Sequence, residues 1–211
     1  MWYRISLTIF EILIRTLFRL RIFGRENFPN APYIVVSNHA SFLDPPLVGI
    51  ACRRDPVSFM GKKELFEIPG VRVWSRLVGI IRTDRDAKSI SALREAIRQA
   101  KKGRVIGIFP EGSRSEDGGL REAKRGVGFL IAMCGVPVVP IYIDGSGYAM
   151  KTDGKICRGA PLGVFVGRPM MPEEFVSPSG EGRTDYERIS NMVMERIAVL
   201  KEKKNELSRA D

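Results

Sequence analysis

Apolar residues occur along this chain in short blocks, and the spacing within each block predicts its element. The first block is the longest. From Met1 to Phe23 large apolar side chains dominate, while Arg4, Thr8, Glu11, Arg15 and Arg19 recur at steps of three and four. On a helix these five make one narrow polar stripe, leaving a broad face of Trp2, Ile5, Leu7, Ile9, Phe10, Leu13, Ile14, Leu17, Phe18 and Leu20. The charges exclude a membrane span, which needs roughly 18 uninterrupted apolar residues. No small-residue cleavage site follows, as a signal peptide requires. Two placements fit: a terminal helix packed on its own domain, or a helix, bent or straight, lying in a lipid interface. Hydrophobicity on nearly all sides, with arginines along the edge, favours the second.

Beyond the turn-rich stretch from Gly24 to Pro32 the pattern changes. Short apolar runs that read as buried strands (Ile34 to Val36, Val57 to Met60, Val105 to Phe109, Val136 to Ile143, Leu162 to Val166) alternate with helical stretches. Helices are expected over Leu47 to Cys52, Val71 to Val78, Ser89 to Lys102 and Gly126 to Cys134. In the clearest of these, Ile90, Leu93, Ile97 and Ala100 make the apolar stripe, Lys101 and Lys102 suit the dipole, and Gly103 ends it. Pro172 to Arg183 reads as a surface connection. Tyr186, Ile189, Val193, Ile197 and Leu200 mark a last helix, with a polar tail expected to fray from Lys201. There are no internal repeats. The alternation predicts an α/β fold: a mixed, largely parallel sheet flanked by helices. Residues 1–24 form the interfacial, membrane-associating helical segment in this reading, and residues 25–211 form one α/β domain.

Composition adds a charge argument. Lys and Arg number 34 against 24 Asp and Glu, a net charge of +10. Such a surface suits an anionic partner: nucleic acid, anionic lipid or an acidic carrier protein. The basic clusters (Arg53-Arg54, Lys62-Lys63, Lys101-Lys102, Lys201 to Lys204) carry few interleaved aromatics and no nucleic-acid signature, so nucleic acid is excluded. Cys52, Cys134 and Cys157 are odd in number and far apart, which gives neither a disulfide framework nor, with a single histidine, a zinc site. The chain reads as reduced and cytosol-facing.

Candidate chemistry gathers where two strands end. The run Ile34 to Val36 breaks into Ser37-Asn38-His39, with Asp44 five residues on and Pro45-Pro46 behind it. His39 is the only histidine. An imidazole at a strand's carboxyl end can take a proton near neutral pH if a carboxylate holds its other nitrogen, and Asp44 is within reach across the turn. The bland alternative is a histidine satisfied by backbone and an aspartate that caps a helix. The second strand, Val105 to Phe109, runs into Pro110-Glu111-Gly112-Ser113-Arg114-Ser115. Gly61-Lys62-Lys63-Glu64 lacks the upstream glycine and following hydroxyl of a phosphate loop, and no serine has the glycines of a nucleophile elbow.

Together the two loops resemble the glycerolipid acyltransferases. Asn38-His39 with Asp44 matches their HX4D motif, and Phe109 to Ser115 matches their Phe-Pro-Glu-Gly-Thr-Arg-Ser motif with Ser113 for threonine, which keeps the hydroxyl. Gly79-Ile80-Ile81-Arg82 and Val136-Pro137-Val138-Val139-Pro140 are similar to the other two motifs, in the same order. The match is strongest to the bacterial members that acylate lysophosphatidic acid. The resemblance implies transfer of a fatty acyl chain from a thioester, acyl-CoA or acyl carrier protein, to the sn-2 hydroxyl of that acceptor, giving phosphatidic acid with no further cofactor. His39 is then the general base and Asp44 fixes its tautomer. Arg82 and Arg114 clamp the acceptor phosphate, Lys124 adds a point charge, and Glu111 binds or orients the glycerol end or else pairs with Arg114. Gly112 lets the backbone approach the substrate or take a positive φ. The expected place is the cytoplasmic face of a membrane with anionic lipid. Another acceptor, such as glycerol-3-phosphate or a different lysophospholipid, fits the same motifs. A non-catalytic anionic-lipid-binding protein fits only the charge and the first helix.

Overall fold

The computed structural model describes residues 2–62, 81–83, 90–115, 117–151, 153–176 and 184–208. In chain order they form α1 (Trp2–Leu17), β1 (Arg19–Phe23), β2 (Ile34–Ser37), α2 (Asp44–Ala51), β3 (Val57–Lys62), β4 (Ile81–Thr83) and α3 (Ile90–Lys101). There follow β5 (Val105–Ile108), α4 (Arg125–Cys134), β6 (Val138–Asp144), the single turn α5 (Ser146–Ala149), β7 (Pro161–Val166) and α6 (Tyr186–Leu207). Seven strands make one sheet in the order β1-β7-β6-β2-β5-β3-β4. Every neighbouring pair is parallel except β6 with β7. This is the mixed, largely parallel α/β sheet that the alternation predicts.

Both faces are covered, which is why the central strands read as continuous apolar runs. Val35, Val139, Ile141 and Val164 point to one face, where Leu7 and Ile14 of α1 and Leu47 and Ile50 of α2 pack on them. Ile34, Val36, Ile106 and Val138 point to the other, under α3, α4 and α6.

Three elements differ from expectation. The helix read over Met1 to Phe23 ends at Leu17, and Arg19–Phe23 is a strand paired in parallel with β7, Leu20 against Leu162 and Phe23 against Phe165. Its alternation of arginine with apolar residues over Arg19 to Ile22 suits a strand, with Leu20 and Ile22 on one face of the sheet and Phe23 on the other. In α3 the fully buried stripe is Ala92, Ala96 and Ala100; Leu93 and Ile97 are only partly buried and Ile90 is exposed. Small side chains let that helix lie close. At the carboxyl end α6 continues to Leu207, because Lys204 pairs with Asp144 at 2.9 Å and Leu207 packs against the core. The expected helix over Val71 to Val78 lies outside the described residues.

α1 itself is two-sided. Leu7 and Ile14 are buried, whereas Ile5, Ile9, Ile12 and Leu13 are exposed, Ile9 and Ile12 at 62% and 61%. No helix among the described residues is long and apolar enough to cross a membrane.

Candidate active site

β2 and β5 are adjacent in the sheet, with Val36 paired to Ile108, so the loops that leave their carboxyl ends meet. That is where an open α/β sheet offers a crevice. The first loop turns sharply into α2, whose opening turn is Asp44-Pro45-Pro46; the prolines suit a helix start because their missing N–H groups have no helical acceptor there. Asp44 is wholly buried, and its Oδ2 accepts from Ala40 N–H and Ser41 N–H at 2.7 Å each and from His39 Nδ1–H at 2.8 Å. A carboxylate oxygen can only accept, so this contact selects the Nδ1–H tautomer of the neutral imidazole, in which Nε2 keeps its lone pair. The rest of the loop is tied as firmly. Asn38 pairs its side-chain amide with the Ile143 peptide on β6 at 2.7 and 2.9 Å, His39 C=O accepts from Ser115 N–H at 2.8 Å, and Ser41 Oγ donates to Met150 C=O at 2.9 Å.

The second loop folds back on the first. Glu111, 4% exposed, accepts His39 N–H through Oε1 at 3.2 Å, while its Oε2 is buried without a hydrogen-bond partner among the described residues. Burial pushes this carboxyl up to about 7, against the opposing pull of the His39 N–H and of Arg121. Gly112 has φ +70, and a Cβ there would stand 2.9 Å from Lys124 Cε, so the glycine lets the lysine stem cross it.

A recess of about 360 Å³ opens beside the loop, lined by Glu111, Ser113, Arg121, Glu122 and Lys124. Arg121 Nη1 donates to Ser113 Oγ at 3.1 Å and lies 3.4 Å from Arg114 C=O. Because Ser113 Oγ accepts from Arg121, its own hydrogen remains available to a ligand. Arg114 is not in the lining. Its guanidinium lies 3.8 Å from the centre of the Phe42 ring, and its buried Nη1 has no hydrogen-bond partner among the described residues. The alternative pairing of Glu111 with Arg114 is not formed: Glu111 bonds the base loop instead.

His39, Asp44, Glu111, Gly112, Ser113 and Lys124 are therefore brought together, with Arg114 beside them on Phe42. Arg82 is on β4, opposite Gly61, and its side chain lies outside the described residues. Sequence reasoning missed Arg121, a charge in a polar stretch without periodicity, and Phe42, an aromatic inside a short turn. A larger depression of about 490 Å³ lies along the start of α6, between Asp185 and Glu195, on the element that covers the opposite face. Among the described residues no group of three or more His, Cys, Asp or Glu side chains is placed to hold a metal ion.

A strand-end imidazole–carboxylate pair thus lies beside a polar recess in which Arg121 and Lys124 face Glu111 and Glu122. The chain belongs to the acyltransferase family, whose model matches residues 19–144 and so takes in both loops. It is 31% identical over 188 residues to a chloroplastic 1-acyl-sn-glycerol-3-phosphate acyltransferase of Brassica napus, covering 87% of this chain and 54% of that one. An Arabidopsis thaliana chloroplastic protein of the same description is 33% identical over 165 residues, covering 76% of this chain and 46% of that one. The chain thus spans about half the length of these two plant relatives. The crystal structure of a 1-acyl-sn-glycerophosphate acyltransferase from Thermotoga maritima superposes with a TM-score of 0.72 at 28% identity, covering 94% of this chain and 78% of that one.

Proposed function

We propose that this protein is a 1-acylglycerol-3-phosphate O-acyltransferase, moving a fatty acyl chain from a thioester donor to the sn-2 hydroxyl of lysophosphatidic acid. The observation that carries this reading is the 2.8 Å contact of His39 Nδ1 with the buried Asp44, which leaves Nε2 as an acceptor near a polar recess that carries Arg121 and Lys124. A hydroxyl is a weak nucleophile until a base removes its proton. His39 Nε2 takes the hydroxyl proton as the oxygen attacks the thioester carbonyl, and the new C–O bond gives a tetrahedral intermediate. That intermediate expels the thiolate, which recovers the proton from the imidazolium. Asp44 holds the reactive tautomer and stabilises the imidazolium while it lasts. No enzyme nucleophile is required, since the substrate supplies the hydroxyl.

Ser113, Arg121 and Lys124 hold the acceptor phosphate in the recess, and Arg114 adds the planar guanidinium that phosphate oxygens favour. The donor is acyl-CoA or acyl carrier protein. Purified protein, assayed with lysophosphatidic acid, glycerol-3-phosphate and other lysophospholipids against both donors, should form phosphatidic acid fastest. His39→Ala should abolish nearly all of that while keeping its thermal transition. Equal turnover in folded His39→Ala sinks the mechanism; a faster alternative acceptor sinks the assignment of substrate.

The same reading places α1 on the cytoplasmic face of a membrane, with Ile5, Ile9, Ile12 and Leu13 in the lipid interface and Arg4 and Arg15 near anionic head groups. Support comes from the exposure of those four side chains on a helix whose other side is already buried. Deleting residues 1–23 is a poor test, because it also removes β1 and the buried Leu7 and Ile14, each worth about 1.5–3 kcal/mol. The double substitution Ile9→Gln with Ile12→Gln leaves the core intact. It should keep the thermal transition and lose most sedimentation with anionic vesicles; undiminished sedimentation rules the interface out.

A further inference from the structure

The imidazole of His39 is fixed at its edge by Asp44 and along its backbone by Glu111 and Ser115, but none of these contacts holds its plane. A ring held through Cβ and by one hydrogen bond at Nδ1 still has residual rotation about χ1 and χ2, and that rotation moves Nε2. What covers its face is Phe109, the last residue before the second loop turns. The two rings are stacked, 4.0 Å between centroids with planes 16° apart. Behind Phe109 stands Phe59 of β3, stacked on it in turn at 5.4 Å and 12°.

The sheet explains how a ring on β3 and the rings just beyond the ends of β5 and β2 line up. Phe59 pairs with Gly107 of β5, and Val35 of β2 pairs with the same glycine from the other side. Phe109 packs in the same core layer as Phe59 and Val57, the two side chains that the bare face of Gly107 meets. A Cβ at position 107 would stand 2.4 Å from Phe59 Cε1, and the glycine is what lets the Phe59 ring lean across β5 to Phe109. Phe59 is buried and Phe109 half-buried, so the column is anchored in the core at one end and reaches the site at the other.

We propose that Phe109, backed by Phe59, is a positioning residue for the base: its ring fixes the imidazole plane so that Nε2 faces the acceptor hydroxyl. This rests on the reading of His39 as general base. Two effects act in the same direction. Misplacing a reacting atom by about 1 Å can cost about 100-fold in rate. The π face beneath the ring also attracts the imidazolium more than the neutral imidazole, so the contact strengthens as the proton arrives. Both act on turnover and neither touches the acceptor's phosphate.

The test is steady-state kinetics on Phe109→Leu, Phe109→Tyr and Phe59→Leu, with melting curves for each. Phe109→Leu should lower kcat about 10- to 100-fold while KM for lysophosphatidic acid stays within about twofold. Phe109→Tyr keeps the stack and should recover kcat to within about threefold of wild type. Phe59→Leu acts through Phe109 and should fall between. The proposal is overturned if folded Phe109→Leu keeps wild-type kcat, if KM rises in step with the loss, or if Phe109→Tyr is as impaired as leucine. Should Phe109→Leu not fold, Phe59→Leu decides by the same kcat and KM criteria. His39→Ala in the same assay separates the two ideas. If it is inactive while Phe109→Leu is normal, only the positioning role fails; if it is active, the base assignment itself fails.

Discussion

Between Ser37 and Asp44 most polar groups are matched within the protein, with Asp44 Oδ1 the one buried side-chain atom left without a hydrogen-bond partner among the described residues, whereas between Glu111 and Lys124 two such atoms remain. The base loop closes on itself: one carboxylate oxygen gathers three donors, the Asn38 amide takes the Ile143 peptide, and Ser41 reaches Met150. The second loop has a buried Glu111 oxygen and a buried Arg114 nitrogen without hydrogen-bond partners among the described residues. The difference follows from the chemistry proposed for each. A base must be held in one tautomer and one place before substrate arrives, and preorganised bonds do that. A phosphate site needs donors that the protein has not already engaged, because a guanidinium satisfied by a carboxylate must lose that bond before it binds a ligand. Aromatic faces solve the second problem. Phe42 supports Arg114 without consuming any of its N–H donors.

The contrast predicts different kinetic signatures for the two loops. The largest effect should come from Asp44→Asn, which mis-sets the tautomer and should lower kcat by roughly 10²- to 10⁴-fold with little change in acceptor KM. Melting curves should show a lower Tm as well, since Ala40 and Ser41 N–H lose their charged acceptor. A matching rise in KM breaks the division between the loops.

Arg114→Ala should do the opposite. Losing one charge-assisted hydrogen bond to the ligand is worth about 1.5–3 kcal/mol, so acceptor KM should rise about 10- to 100-fold while the donor's KM is unchanged. Stability should hardly change, because among the described residues no ion pair or hydrogen bond involving this side chain is lost. Marked unfolding shows instead that the arginine is structural.

Glu111 belongs to both loops and gives the smallest, pH-dependent effect. Its carboxyl titrates near 7 when folded, above the usual value of about 4.3. Between those pH values the folded protein keeps a proton that the unfolded chain has lost, so this group lowers stability as pH rises through the window. Glu111→Gln removes the slope and should be more stable than wild type at pH 8, by on the order of 1–3 kcal/mol, with no gain at pH 4. Urea denaturation at the two pH values measures it; an equal difference at both rules out the titration.

The sequence by itself determined the parts that local physics controls. Short apolar runs such as Ile34 to Val36 and Val105 to Ile108, bounded by turn residues, read as strands buried on both faces, and they announced where the two loops begin. His39 and Asp44 are five residues apart, so a tight turn and a proline-started helix suffice to join them, and their spacing was enough to read the pair. Only the tertiary structure decided the rest. Arg19–Phe23 continues the arginine spacing of the helix before it, and what makes it a strand is β7, some 140 residues away along the chain. The end of α6 frays or holds according to whether Asp144 meets Lys204. Arg121 is one charge among many until the fold sets it against Ser113, and Phe59, Phe109 and His39 share a column only because Gly107 stands between their strands. Periodicity and turn chemistry act over a few residues and leave a local trace. Which partner satisfies a charge, or lies against a ring, depends on contacts between distant segments, and a single sequence carries no local mark of them.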